Sequence, residues 1–211
     1  MKDIVILGTG GHARDILWLL EDNNEERREW NILGFIDKAP EGKKTVEGYP
    51  ILGDDGWLLD YKHPVHAVCG IGNSVLRRRI VSRYRTSGVT FPSLVSRKAH
   101  VSPRASMGEG CIVFSSAVVT IGVRLENFVY VYFECSIGHD AHLQDFVGVN
   151  PSASVSGNVL IEPECEVGTG AHIIQGIHIG PQTVIGAGSV IIRDVPGHCT
   201  VVGNPGRILK R

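Results

Sequence analysis

His139 is followed directly by Asp140 and preceded by Gly138. A neutral imidazole accepts a proton near neutral pH, and a carboxylate on one ring nitrogen fixes the tautomer and stabilises the imidazolium that forms. Adjacent side chains on an extended strand point apart, so these two can act as one general base only where the chain turns a corner. A second constellation lies near the start. Gly8-Thr9-Gly10-Gly11-His12-Ala13 fits the pattern GxGxxA, and Asp37 follows at roughly the spacing of a ribose-binding acid. Free backbone amides at a turn that opens a helix favour a phosphate group, so the expected ligand is a nucleotide or nucleotide-sugar. A nicotinamide dehydrogenase would use the same turn, but a stretch of about ninety residues is short for a two-lobed dinucleotide domain. Nothing downstream resembles a hydride-transfer site.

The elements that must position these groups are of two kinds. From Val95 to Ile191 every sixth residue is aliphatic, Met107 included, without exception. Two residues before each, from Ala99 to Ser189, stands a smaller or β-branched residue such as Ala117, Cys135 or Val147. Both series are expected to point inward. A six-residue period fits neither a helix nor plain strand alternation; it fits a parallel β-helix whose short strands turn corners and stack on their predecessors. Gly138, Gly168, Gly180 and Gly186 follow inward aliphatics, and unusual backbone angles are expected there. The phase also sorts the histidines. His100, His142, His172 and His178 each precede an inward aliphatic and are expected on the outer surface or at a subunit contact, whereas His139 stands two residues past Ile137, at a corner.

The first ninety residues read as a small parallel α/β sheet. A strand is expected over Asp3 to Leu7, a helix from His12 to about Asp22, a strand over Ile32 to Ile36, a polar connection through Pro50, a strand over His66 to Gly70, and a helix from about Ser74 to Arg85. Ligands of such sheets bind at the carboxyl ends of the strands. The domains expected are 1–91, Rossmann-like, and 92–211, all-β.

Composition narrows the function. Lys plus Arg is 21 and Asp plus Glu is 22, a net charge of −1 that offers no field to a nucleic acid. No apolar run approaches the ~20 residues of a membrane span, and the N-terminal run ends in a Gly-rich turn rather than a signal-peptide cleavage site, so a cytoplasmic protein is expected. The five cysteines form no CxxC pair or zinc spacing, and Cys111, Cys135 and Cys165 fill inward slots that alanine fills elsewhere. They are expected to be reduced packing residues, and no metal is expected. Arg77, Arg78, Arg79, Arg83 and Arg85 share one expected helix and read as a solvated basic face.

Taken together, the segments Ile6-Leu7-Gly8-Thr9-Gly10-Gly11-His12, Gly70-Ile71-Gly72-Asn73, Ile137-Gly138-His139-Asp140, Gly157-Asn158-Val159, Ile185-Gly186-Ala187-Gly188-Ser189-Val190 and Val202-Gly203-Asn204-Pro205 resemble those of a known family. It is that of the bacterial sugar acetyltransferases with hexapeptide repeats, including the sialic acid O-acetyltransferase type and the nucleotide-amino-sugar N-acetyltransferases of bacillosamine-like pathways. The resemblance implies a Rossmann-like domain followed by a left-handed parallel β-helix with three hexapeptides per coil, assembled as a homotrimer with active sites between subunits. It implies transfer from acetyl-CoA to the amino group of a UDP- or dTDP-linked sugar, with His139 as proton acceptor and Asp140 raising its basicity. The alternatives are O-acetylation of sialic acid or another sugar, and a non-catalytic β-helix scaffold. Gly10, Gly11, His12, Asp37, Lys38 and Gly72 match positions that hold the nucleotide-sugar. Thr169 and Ala187 match positions whose amides meet acetyl-CoA. Gly148 stands where some relatives carry a second histidine near the thioester. Lys210 and Arg211 offer charge to the coenzyme phosphates or simply end the chain.

Overall fold

A computed structural model describes residues 1–38 and 44–209; Lys210 and Arg211 lie outside the described residues. The chain divides into two compact units, Met1–Gly72 with Leu76–Pro92, and Asn73–Val75 with Ser93–Arg211.

In the first unit the apolar run Ile4, Val5, Ile6 is wholly buried in β1 (Lys2–Leu7), as expected of a strand covered on both faces. The helix α1 (Gly11–Glu26) buries Ala13, Ile16, Leu17 and Leu20, one apolar stripe at helical spacing. It runs past the Asp22 expected as its end. Just beyond, the Asn24 side chain accepts from the N–H groups of Glu29 and Trp30 and donates to the Trp30 carbonyl, which fixes the turn into β2 (Trp30–Ile36).

The segment through Pro50 is not the polar connection that the sequence suggests. It forms β3 (Thr45–Val46), β4 (Tyr49–Gly53) and α2 (Asp55–Asp60). Glu47 and Gly48 both have positive φ, 47° and 84°, the requirement of a tight two-residue hairpin turn. The Asp54 carboxylate caps α2 by accepting from Gly56 N–H. With β5 (His66–Cys69) the sheet order among the described residues is β3-β4-β2-β1-β5, parallel apart from the β3–β4 hairpin. The chain leaves β1 toward β2 on one side and later places β5 on the other. The carboxyl end of β1, at Gly8, is therefore the switch point where such sheets bind ligands. Gly70 follows β5 and is required by space, because a Cβ there would lie 2.5 Å from the Ala13 methyl and 2.7 Å from the Leu7 carbonyl. The last helix, α3 (Ser74–Val81), passes into a 3-10 turn over Ser82–Tyr84.

The second unit follows the hexapeptide phase as far as Ile191; beyond it Thr200 pairs with Val184, and Arg207–Ile208 returns antiparallel against Val201–Val202. Two-residue strands pair in parallel with those one coil later, so that Val118, Ser136, Ser154, His172 and Val190 lie in one row, eighteen residues apart. Three sheets result, and the aliphatic series and the smaller series both face the interior, Ile137, Leu143, Val149, Ala141 and Val147 having no exposed surface. Val95, Ala99, Val101, Ala105 and Met107 are only partly buried, since they belong to the first coil, which has a stacked neighbour on one side only.

The unusual backbone angles fall elsewhere than expected. They sit on the third residue after the inward aliphatics from Met107 to Ile185, among them Ser116, Gly122, Phe128, Glu134, Asp140 and Phe146, and not on Gly138, Gly168, Gly180 or Gly186. Those four glycines answer to coil stacking. A Cβ would come within 2.5 Å of Gly157 N from Gly138, 2.6 Å of the Ile185 carbonyl from Gly168 and 2.8 Å of Val202 Cγ1 from Gly186, and from Gly180 it would strike the Gly197 backbone.

Candidate active site

The corner that follows the Ser136–Ile137 strand is built from three stacked coils. Asp140 N–H donates to the Ile121 carbonyl at 3.1 Å and Asn158 N–H to the His139 carbonyl at 2.8 Å, which lays Ile121, His139 and Gly157 in one column. Asp140 has φ 58°, and this left-handed residue brings its side chain back to its neighbour: His139 Nδ1 lies 3.0 Å from Asp140 Oδ2. A carboxylate can only accept, so Nδ1 carries the proton and Nε2 keeps a lone pair for an incoming proton. Both side chains are about half exposed, at 50% and 62%. Glycines make room on either side. A Cβ on Gly157 would lie 2.5 Å from His139 Nε2, and one on Gly122 would overlap Asp140 Oδ1. Of the other outward histidines, His100, His172 and His178 are exposed and His142 is partly buried; His142 Nε2 pairs with Glu126 Oε1 at 2.5 Å and His178 Nε2 with Glu162 Oε1 at 2.6 Å.

Thr169 and Ala187 stack at a different corner, one coil apart, with Gly188 N–H donating to the Thr169 carbonyl at 2.9 Å. Both are exposed. One face of the stack separates them from the His139 column, so a single chain does not bring the expected base and the expected coenzyme amides to one corner. Gly148 is buried, and the space where a side chain would begin is filled by Glu166, whose Oε2 would lie 2.6 Å from a Cβ. That carboxylate was not foreseen. Its outward phase in the repeat is the only sequence signal that it has.

In the first unit a cleft of about 310 Å³ opens at the switch point. Gly8, Asp37, Lys38, Asp54, Asp55 and Arg83 border it with the apolar Ile71 and Ile80. Thr9 donates its hydroxyl to Asp37 Oδ2 at 2.6 Å, and Arg83 and Tyr84 donate to the two oxygens of Asp55 at 2.6 and 2.5 Å. Burial alone would raise the Asp55 carboxyl, but the hydrogen bonds from Tyr84 and Arg83 and the charges of Arg83 and Lys38 outweigh it and hold it below its ordinary value. Of the expected substrate positions, Asp37 and Lys38 thus share one cleft. Gly10, Gly11, His12 and Gly72 do not line it, and Gly11 borders a separate cleft with Arg14 and Trp18. Asp54, Asp55, Arg83 and Ile71 were missed as lining residues. For Asp54 a signal existed, since an aspartate before a short apolar run is a helix cap.

The arginine run is not uniformly solvated. Arg77 has no exposed surface, and its Nη1 donates to the carbonyls of Gly72 at 2.6 Å and Ile71 at 3.2 Å. Its register explains this, because Ser74, Arg77, Val81 and Tyr84 form the buried side of α3 and its 3-10 extension, while Arg78, Arg79, Arg83 and Arg85 remain exposed. His12 is partly buried, with its Nε2 shielded from solvent. Its burial, and secondly the Arg77 charge, push its imidazole down to about 3, so it is neutral at any working pH. All five cysteines are free and buried, and burial raises Cys111 and Cys135 to about 11 and Cys165 to about 12, far from a thiolate nucleophile. Among the described residues no group of three His, Cys, Asp or Glu side chains could hold a metal ion.

Comparison with known proteins gives consistent likenesses. The family described as PglD N-terminal domain matches residues 3–84. GDP-perosamine N-acetyltransferase of Escherichia coli O157:H7 is 28% identical over 157 residues, 73% of this chain and 70% of that protein. The acetyltransferase domain of PglB from Neisseria gonorrhoeae FA1090, solved in complex with acetyl coenzyme A, is 33% identical with 99% of each chain covered and a TM-score of 0.90. PerB from Caulobacter crescentus, solved in complex with CoA and GDP-perosamine, is 25% identical over 100% of this chain and 98% of that one, with a TM-score of 0.91.

Proposed function

The chain belongs to the bacterial sugar acetyltransferases with hexapeptide repeats, and from that premise we propose that it transfers the acetyl group of acetyl-CoA to the amino group of a nucleotide-linked amino sugar. The observation that carries the mechanism is the His139–Asp140 pair, with Nδ1 held by the carboxylate and Nε2 left to accept a proton. His139 Nε2 takes the proton of the sugar amine as the nitrogen attacks the thioester carbonyl. The new C–N bond forms, the C–S bond breaks, and the proton passes from the imidazolium toward the departing coenzyme thiolate. A backbone amide near the thioester steadies the oxyanion, and no metal is needed for a leaving group as good as a thiolate.

Gly10, Gly11, His12, Asp37, Lys38 and Gly72 belong to the nucleotide-sugar side of this reading, and Gly148, Thr169 and Ala187 to the coenzyme side. The positions of His139 and of Thr169 with Ala187 on different corners support a homotrimer, in which one protomer's base meets the coenzyme on its partner. No described helix is long and apolar enough to cross a membrane. Both substrates are highly charged and do not cross a bilayer unaided, which supports a cytoplasmic location.

The test is coenzyme A release followed by mass spectrometry, using acetyl-CoA and a panel of UDP-, dTDP- and GDP-linked amino sugars with free and CMP-linked sialic acid. Gain of one acetyl group on an amino nitrogen is expected. Acetylation of sialic acid alone would move the protein to the O-acetyltransferase reading, and no transfer or acetyl-CoA binding at all would leave a scaffold.

A further inference from the structure

Arg77 carries a full charge and yet has no exposed surface. Burying a guanidinium is costly unless its donors are used, and two of its contacts fall on consecutive carbonyls, Ile71 and Gly72. In a trans peptide the C=O of one residue and the N–H of the next point in opposite directions. A guanidinium that holds both carbonyls on its own side therefore turns the N–H groups that follow them, beginning with that of Gly72, to the other side. The turn is open there: a Cβ on Gly72 would meet nothing nearer than His12 Cβ at 4.0 Å. His12, between the two Gly-rich turns in sequence and partly buried near Arg77, is neutral, so the buried positive charge is not doubled. The same turn supplies Ile71 to the wall of the Asp37 cleft.

We propose that Arg77 is a positioning residue for the nucleotide-sugar: by holding the Ile71 and Gly72 carbonyls it presents the turn's amides to the diphosphate and fixes Ile71 against the nucleoside. This rests on the nucleotide-sugar reading given above. Outward amides backed by a buried cation form an anion-binding concavity that needs no exposed basic side chain.

The experiment compares wild type with Arg77→Gln, Arg77→Lys and Gly72→Ala. It measures KM for the amino-sugar nucleotide and for acetyl-CoA, kcat, GDP and UDP affinity by calorimetry, and Tm. Arg77→Gln is expected to raise the nucleotide-sugar KM and the nucleotide Kd about tenfold or more, with acetyl-CoA KM and saturating kcat within about twofold. Arg77→Lys keeps the charge but reaches less far than Nη1, which makes both carbonyl contacts, and recovers part of the loss. Gly72→Ala leaves Arg77 and the fold intact and is expected to weaken nucleotide binding several-fold with Tm held. A merely structural Arg77 would lower Tm and the folded fraction and leave both KM values unchanged, which overturns the proposal. Should Arg77→Gln fail to fold, the lysine and alanine variants decide, and unchanged nucleotide affinity in both overturns it equally. A wild-type protein that binds neither GDP nor UDP and transfers no acetyl group would instead defeat the functional reading itself.

Discussion

His139 Nδ1 and Asp140 Oδ2 lie 3.0 Å apart although the two residues are neighbours in sequence. On an extended strand their side chains would diverge. The left-handed conformation of Asp140, φ 58°, turns the chain at that point and lets the carboxylate reach back. The repeat that builds the β-helix thus also builds this pair, because the corners from Gly110 to Gly188 each carry a left-handed residue at this phase and only at Asp140 is it an aspartate after a histidine.

Asp140→Asn keeps an acceptor for Nδ1–H and removes the charge that stabilises the imidazolium. Its kcat is expected to fall about 10- to 100-fold with both KM values little changed. Asn also tolerates the left-handed backbone, so Tm should hold. Steady-state kinetics beside a thermal melt checks this, and an undiminished kcat would remove Asp140 from the mechanism.

Gly157 is a space requirement of the His139 ring. A methyl there would lie 2.5 Å from Nε2 and 2.6 Å from Cε1 of His139, so Gly157→Ala must displace the ring. Activity is expected to drop about tenfold or more while coil packing, and hence Tm, changes little. The same variant with wild-type kcat would mean that the ring position is not critical.

His12 makes stability pH-dependent. Its folded value, about 3, lies below its ordinary 6.5, so between these limits the unfolded chain binds the proton and the native state does not. Stability is therefore fully present above pH 6.5 and falls as the solution is acidified, by about 2 kcal/mol at pH 5 from this group alone. Denaturant melts of wild type and His12→Gln at pH 7.5, 6 and 5 test it. The variant's loss over this range should be smaller, and parallel losses would contradict a buried neutral imidazole.

The thiols should be inert. With Cys111, Cys135 and Cys165 raised to about 11 or 12 by burial, iodoacetamide at pH 8 is expected to leave these three unmodified and the activity intact, whereas the urea-unfolded chain is alkylated at every cysteine. Peptide mapping reads the outcome, and an adduct on any of the three accompanied by lost transfer would reopen a cysteine mechanism.

The β-helix was legible because its signal is repeated. One inward aliphatic decides little, but an unbroken series from Val95 to Ile191 fixes face, coil and phase together, and it places Ile137 and Leu143 at zero exposure and His139 at a corner. Which residue takes the strained backbone was misread, because glycine serves two purposes. Gly122 carries the left-handed angle, while Gly138 lets one coil lie against the next, and only coordinates tell these apart. In the first unit β1 and α1 were legible from an apolar run and an amphipathic stripe. The β3–β4 hairpin was not, since Glu47-Gly48 lacks the usual Asn-Gly signature and its strands are short. A run of arginines reads as a surface face and hides Arg77, the one whose register faces inward. Asp37 and Lys38, expected on the nucleotide-sugar side, share a cleft, but the other residues that line it, Asp55, Arg83 and Ile71, come from segments distant in sequence.

The most direct test of the account is transfer by His139→Ala, measured as kcat/KM on the amino-sugar nucleotide with acetyl-CoA and accompanied by calorimetric affinities for acetyl-CoA and the nucleotide. A loss of about 100- to 10,000-fold in kcat/KM with both affinities preserved is expected. A variant that retains more than about a tenth of wild-type kcat/KM would place the base elsewhere in the molecule and contradict the role given to this corner.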